Sequence, residues 1–179
     1  MASSELHIYL IRPTKYDDDG YLLRHWRGVL PSNTLACLRG LTEKVSADKE
    51  LGDVRVRIFS CDESVEAIPE RRIYQSHQRS GVEVLVGLVG VQTNQAPRAV
   101  DIALRLRARG VTVLVGGFHV SGTSCGDEAP AEICTLKNAG VTLVRGEVEN
   151  RWADILRDCL LYTSPSPRDL STSRMPSSA

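Results

Sequence analysis

Two stretches constrain this chain more than anything else in it: "VEVLVGLVGV" at residues 82–91 and "VTVLVGG" at 111–117. Each is a nearly unbroken apolar run of strand length, rich in β-branched residues. Such runs read as strands buried on both faces, which arise where helices cover both sides of a parallel sheet. The second run ends in Gly116 and Gly117, so every side chain disappears where the strand stops. Something comes close to the backbone there: a neighbouring segment in a tight turn, or a ligand.

Three further strands fit the same sheet. "ELHIYLI" (5–11) starts as an alternating segment and finishes as a buried one. "VRVRIFS" (54–60) alternates apolar with charged residues, as a half-exposed strand near an edge does, and "VTLVRGE" (141–147) is a shorter fifth. Helical patterns fill the gaps. Residues 30–44 place Leu35, Leu38 and Leu41 on one face, with Pro31 in the first turn, and 64–79 have room for a helix before Gly81. "APRAVDIALRLRARG" (96–110) is the clearest case: Pro97 opens it, Gly110 closes it, and Ala99, Val100, Ala103, Leu104 and Leu106 face inward while its arginines face water. Residues 150–158 begin a last helix. Strand and helix alternate in the manner of a doubly wound α/β domain, whose ligands bind over the carboxyl ends of the strands.

Composition excludes more than it identifies. The chain has 179 residues, enough for one domain with a sizeable core; it is 42% hydrophobic and 25% charged, and its formal net charge is zero. There is no basic stripe to hold nucleic acid, no apolar window long enough to cross a membrane, and no signal peptide at the N-terminus. The five cysteines have no metal-ligand spacing and no secreted-scaffold density, so a reduced, cytoplasmic setting is expected. No CxxxCxxC is present for an iron–sulfur cluster, no G-x-G-x-x-G or Walker loop for a nucleotide, and no catalytic triad.

Composition shifts abruptly at Cys159. Residues 159–179 hold three of the eight prolines and six serines, with no apolar periodicity after Tyr162. Cys159–Asp169 resembles the translation of a transposon-based sequencing adapter, and "SRMPSSA" its continuation. The expected organisation is therefore a domain at 1–158 followed by a non-native, disordered tail at 159–179, with the natural sequence continuing beyond the break.

Several loops at the strand ends carry candidate binding groups. Gln92, Thr93 and Asn94 follow the third strand and suit either polar ligand groups or the cap of the next helix. His119 follows the glycine pair, and Gly146-Glu147 suits either a ligand edge or a helix cap. The connection at 12–33 is long; its Asp17–Asp19 before Gly20 read as a solvated Asx turn, and Trp26 as a lid or a rim residue.

In combination, "VGLVGVQTN", "VLVGGFHVSG" and "VRGEVE", in this order and spacing, resemble the cobalamin-binding domain, particularly the one preceding the catalytic barrel in cobalamin-dependent radical S-adenosylmethionine proteins. The resemblance covers about residues 6–158. It implies a flavodoxin-like three-layer fold with a five-stranded parallel sheet of order 2-1-3-4-5. It also implies a corrin across the strand ends and a nucleotide tail in the sheet's crevice, passing Gly116 and Gly117. The implied cofactor-binding set is Thr14, Gln92, Thr93, Asn94, Gly116, Gly117, Phe118, His119, Gly146 and Glu147. A bulky side chain at Gly117 is then expected to abolish cobalamin binding without disturbing the fold. The Asp-x-His-x-x-Gly that supplies a lower cobalt ligand in related synthases and mutases is absent, and their Ser-x-Leu is Val89-x-Val91, which implies cobalamin held without a protein imidazole on cobalt. The iron–sulfur cluster and S-adenosylmethionine would belong to a C-terminal radical domain outside this chain. The alternative is a receiver-like signalling or interaction domain that binds no corrin. A receiver needs a phosphorylatable Asp ending strand three, where Val91-Gln92-Thr93 stands.

Overall fold

The computed structural model describes residues 5–27, 32–123 and 129–163. Leu30 and Pro31, Cys125 and the tail from Ser164 onward lie outside the described residues.

Strands β1 (Glu5–Arg12), β2 (Arg55–Asp62), β3 (Val82–Leu88), β4 (Thr112–Gly116) and β5 (Thr142–Val144) form one sheet in the order β2-β1-β3-β4-β5. Every pairing is parallel, so this is the flavodoxin-like arrangement. The alternation along each strand sends side chains into two separate cores. Leu6, Ile8 and Leu10 of β1, with Leu85 and Leu114, pack on α1 (Asn33–Ala47) and α6 (Trp152–Thr163). Tyr9, Ile11, Val84, Val86, Val113 and Val115 pack on the other face, against α2 (Glu70–His77), α3 (Ala96–Arg107) and α5 (Ala131–Asn138). Fully burying a residue such as Ile8 or Leu10 contributes about 1.5–3 kcal/mol, so the sheet centre dominates stability. No helix among the described residues is long and apolar enough to cross a membrane.

Several boundaries differ from the sequence reading. β3 ends at Leu88 rather than Val91, because Gly90 adopts φ +64° and turns the chain. The segment after Gly117 is not a loop: Phe118–Gly122 form the short helix α4. Helix α5 has no counterpart in the sequence reading, since only Ile133 and Leu136 mark its buried face. α2 is confined to Glu70–His77, and α1 starts at Asn33, with the Ser32 hydroxyl accepting the Leu35 N–H. α3 follows a turn of 3-10 helix at Thr93–Gln95, and Gly110 closes it with φ +79°. One of its arginines is not in water: Arg98 is buried. α6 runs on past Asp158 to Thr163, with Cys159 and Leu160 packed against its core.

Candidate functional site

At the carboxyl end of the sheet the two faces are built differently. On the α2/α3 side the space is filled. Glu63, just after β2, is fully buried and binds Arg98 of α3 through Nε (3.1 and 3.2 Å) and Nη2 (2.5 Å). Thr14 donates its N–H to the same carboxylate at 3.1 Å, and its hydroxyl donates to the Leu23 carbonyl at 2.5 Å. Arg98 Nη1 reaches the Tyr16 hydroxyl at 3.2 Å, which in turn donates to Asp101 at 2.5 Å. Gln95 Nε2 donates to the Pro13 carbonyl at 2.7 Å. Burial works to lower the Arg98 pKa, but the hydrogen bonds to Glu63 and Tyr16 and the Glu63 charge more than reverse this, so the guanidinium stays charged. Burial likewise pushes the Asp62 carboxyl upward, and hydrogen bonds from Ser64 and Arg12 outweigh it, holding the group below its ordinary range. The β1–α1 connection is thus bolted onto α3. At its tip, Asp17 Oδ1 accepts the N–H groups of Asp19 and Tyr21, which is the expected Asx turn. Trp26 is 96% exposed.

On the α1/α6 side the same sheet end is open. A cleft of about 620 Å³ lies between the strand ends and the two helices. Trp152 and Thr42 set its width, since the indole Nε1 donates to the Thr42 hydroxyl at 2.9 Å and ties α6 to α1. Its floor is Gly87, Val89, Leu114 and Val144; its mouth carries Asn33, Cys37, Gln92, Ser121, Glu147 and Glu149. Among the described residues, no Lys, Arg or His lines it. A methyl group at Gly87 would meet Leu10 and Val89 only at ordinary contact distance (3.5 Å), so the missing side chain there leaves room rather than relieving a clash.

Gly117 has the opposite reason for being glycine. A Cβ at this position would lie 2.2 Å from the Val91 nitrogen and 2.7 Å from its oxygen, at φ +138°. At Gly116 a Cβ would press on the Val144 carbonyl at 3.3 Å. Gly117 is therefore required by the neighbouring Val91 backbone, while Gly116 is only closely approached: Val91 donates its N–H to the Gly116 carbonyl (3.1 Å), and the Val91 carbonyl accepts the His119 N–H (3.0 Å). A side chain at Gly117 would not block a site on an intact fold, as the sequence reading expects; it would break the β3–β4 rim itself.

The sequence-derived set divides. Gln92, Gly116, Gly117, Phe118, Gly146 and Glu147 line the cleft. Thr14 belongs to the Glu63 network, and Thr93 and Asn94 are exposed on the 3-10 turn, outside the cleft lining. The turn is capped by the reciprocal Gln92–Gln95 pair instead, with Gln92 N–H on Gln95 Oε1 at 3.0 Å. His119 is buried (8% exposed) on α4, outside the cleft lining, and its Nε2 has no hydrogen-bond partner among the described residues. Glu147 lies five residues before α6 begins and stands at the cleft mouth. Cys37, Val89, Glu149 and Trp152 are cleft residues that the sequence reading passes over as binding groups. The Glu63–Arg98 pair was also missed, although Arg98 stands one helical turn before the inward-facing Ile102, and an arginine in register with an apolar stripe is a usable signal. No group of His, Cys, Asp and Glu among the described residues could hold a metal ion. Comparison of the chain with protein-family models, with curated proteins and with solved structures finds no match in any of the three.

Proposed function

We propose that this chain is a cobalamin-binding module of a cobalamin-dependent radical S-adenosylmethionine protein, with the corrinoid's nucleotide tail in the α1/α6 cleft. One observation carries the reading: a cleft of about 620 Å³, floored by Gly87 and apolar side chains, opens beside Gly116 and Gly117 where the resemblance puts that tail. The volume lies within the range of small-molecule sites, and a mostly apolar lining with a few polar groups at the rim is their usual chemistry. The residues fit the group in kind. Apolar walls suit a benzimidazole ring, and Gln92, Ser121, Glu147 and Glu149 offer acceptors to ribose hydroxyls and corrin amides. Among the described residues, the lining offers the tail's phosphodiester no cation. When bound, cobalamin supplies a cobalt–carbon bond for methyl transfer or radical chemistry; the chain's own part is to hold it, and its iron–sulfur and S-adenosylmethionine partners belong to a radical domain outside this sequence.

The test is retention. Protein mixed with hydroxocobalamin and passed through gel filtration is expected to carry about one corrin per chain, read from the visible spectrum. Cys37→Trp, at an exposed position on the cleft wall, is expected to keep the fold by circular dichroism and lose most of the corrin. A wild-type chain that emerges colourless overturns the function, and undiminished retention by the variant overturns the site.

A further inference from the structure

Among the described residues, the large apolar side chains left exposed are Tyr21, Trp26, Val65 and Phe118. All four stand beyond the carboxyl ends of strands: two on the β1–α1 connection, one after β2 and one after β4. Exposed apolar side chains gathered at one end of a molecule mark an interaction surface. Trp26 is the extreme case, 96% exposed within an Arg24-His25-Trp26-Arg27 segment whose four residues are all exposed. The backbone of this segment is tied down: Leu23 donates its N–H to the Lys15 carbonyl at 3.0 Å, and His25 donates its N–H to the Ser64 carbonyl at 2.6 Å. Elsewhere on the same sheet end the cleft presents the complement. Leu38, Val89 and Leu114 make its interior apolar, while Glu147 and Glu149 stand at its mouth. Among the described residues, Arg24, Arg27, Glu147 and Glu149 form no ion pair.

We infer that the cleft receives the Trp26 loop of a second copy of this chain, so that two copies join reciprocally, carboxyl end to carboxyl end. The inference goes beyond the cobalamin-binding reading and does not depend on it. Loop and cleft occupy different places on one face: His25 is tied beside the end of β2, an edge strand, whereas the cleft opens over β3, β4 and β5. A two-fold axis through that face sets each loop opposite the other copy's cleft, and the contact closes at two chains. The chemistry matches on both sides. The indole brings a flat apolar body to an apolar interior, and its N–H donor meets acceptors at the mouth. The flanking guanidinium groups meet the Glu147 and Glu149 carboxylates. Trp and Arg are also the side chains that most often carry the energy of such contacts. A corrinoid tail and a second copy then compete for one cleft.

Sedimentation velocity of the full chain, without corrinoid, is expected to show a concentration-dependent monomer–dimer equilibrium that weakens as salt rises. Trp26→Ala, at an exposed position, is expected to weaken the dimer by roughly tenfold or more. Two charge-reversed chains sharpen the test: Arg24→Glu with Arg27→Glu, and Glu147→Lys with Glu149→Lys. Each alone is expected to be monomeric and their mixture to dimerise, because each loop then faces a cleft of opposite charge. A wild-type chain that stays monomeric at millimolar concentration overturns the inference and leaves loop and cleft to a different partner. A dimer that survives Trp26→Ala overturns it too, as does a charge-reversed mixture that stays monomeric. Assemblies larger than two overturn the two-fold arrangement. Hydroxocobalamin is expected to dissociate the dimer, and corrin bound to an intact dimer overturns the seating of both in one cleft. A dimer that takes up no corrin at all supports the inference and sinks only the functional reading.

Discussion

The two halves of the sheet's carboxyl end start from the same backbone and finish differently. On the α2/α3 half, long side chains cross the gap: Glu63, Arg98 and Tyr16 bond in a chain, Gln95 bonds the Pro13 carbonyl, and together they hold the β1–α1 connection down. On the α1/α6 half, Gly87, Val89 and Gly146 line an open cleft, and the Trp152–Thr42 bond that joins the two helices sets its width without filling it. A doubly wound sheet does not by itself decide where its cleft opens. Side-chain length at a few strand ends does, because a buried polar network that is fully satisfied closes one half as firmly as an apolar core would.

Three changes test this contrast. Gly117→Ala carries the largest expected effect: with a Cβ driven into the Val91 backbone at a positive φ, it should destabilise the fold by more than about 3 kcal/mol, or prevent accumulation of folded protein. A denaturant midpoint close to that of the wild type would show that the rim adjusts and that the glycine is there for a ligand after all. Glu63→Ala comes next. It strands a buried guanidinium, and a loss of about 3–5 kcal/mol is expected in urea unfolding. The double change Glu63→Leu with Arg98→Met should cost less than the single one, since neither charge is then left unpaired; a double variant at least as unstable as the single would mean that the network's geometry, not its charge balance, closes this half. The smallest change is chemical. Burial, reinforced by the neighbouring Glu66, Glu63 and Asp62 charges, pushes the Cys61 thiol up to about 12, so it remains a thiol near neutral pH and should resist iodoacetamide. Cys37 and Cys134 are exposed and should label. Added hydroxocobalamin should slow Cys37 and leave Cys134 unchanged by peptide mass spectrometry. Equal labelling of both with and without corrinoid would separate the open half from any role in binding.

Much of the scaffold was legible beforehand because its signals are local. Continuous apolar runs announce central strands, Arg55 and Arg57 mark β2 as an edge, and Pro97 and Gly110 bracket α3 through backbone constraints that act on neighbours in the chain. Helix α5 escaped because eight residues with two buried positions make no periodic pattern. The candidate site was half legible: glycines and polar residues at strand ends are visible in one dimension, but their reasons are not.

By itself, then, the order of residues determined that a parallel sheet forms, with helices on both faces and bare strand ends. Tertiary structure alone decided which face closes, since Glu63 meets Arg98 across 35 positions and Trp152 meets Thr42 across 110. It also decided that Gly117 serves the Val91 backbone while Gly87 leaves space. Propensity and hydrophobic period act over a few residues, whereas a buried partner or a steric conflict exists only once distant segments have been brought together.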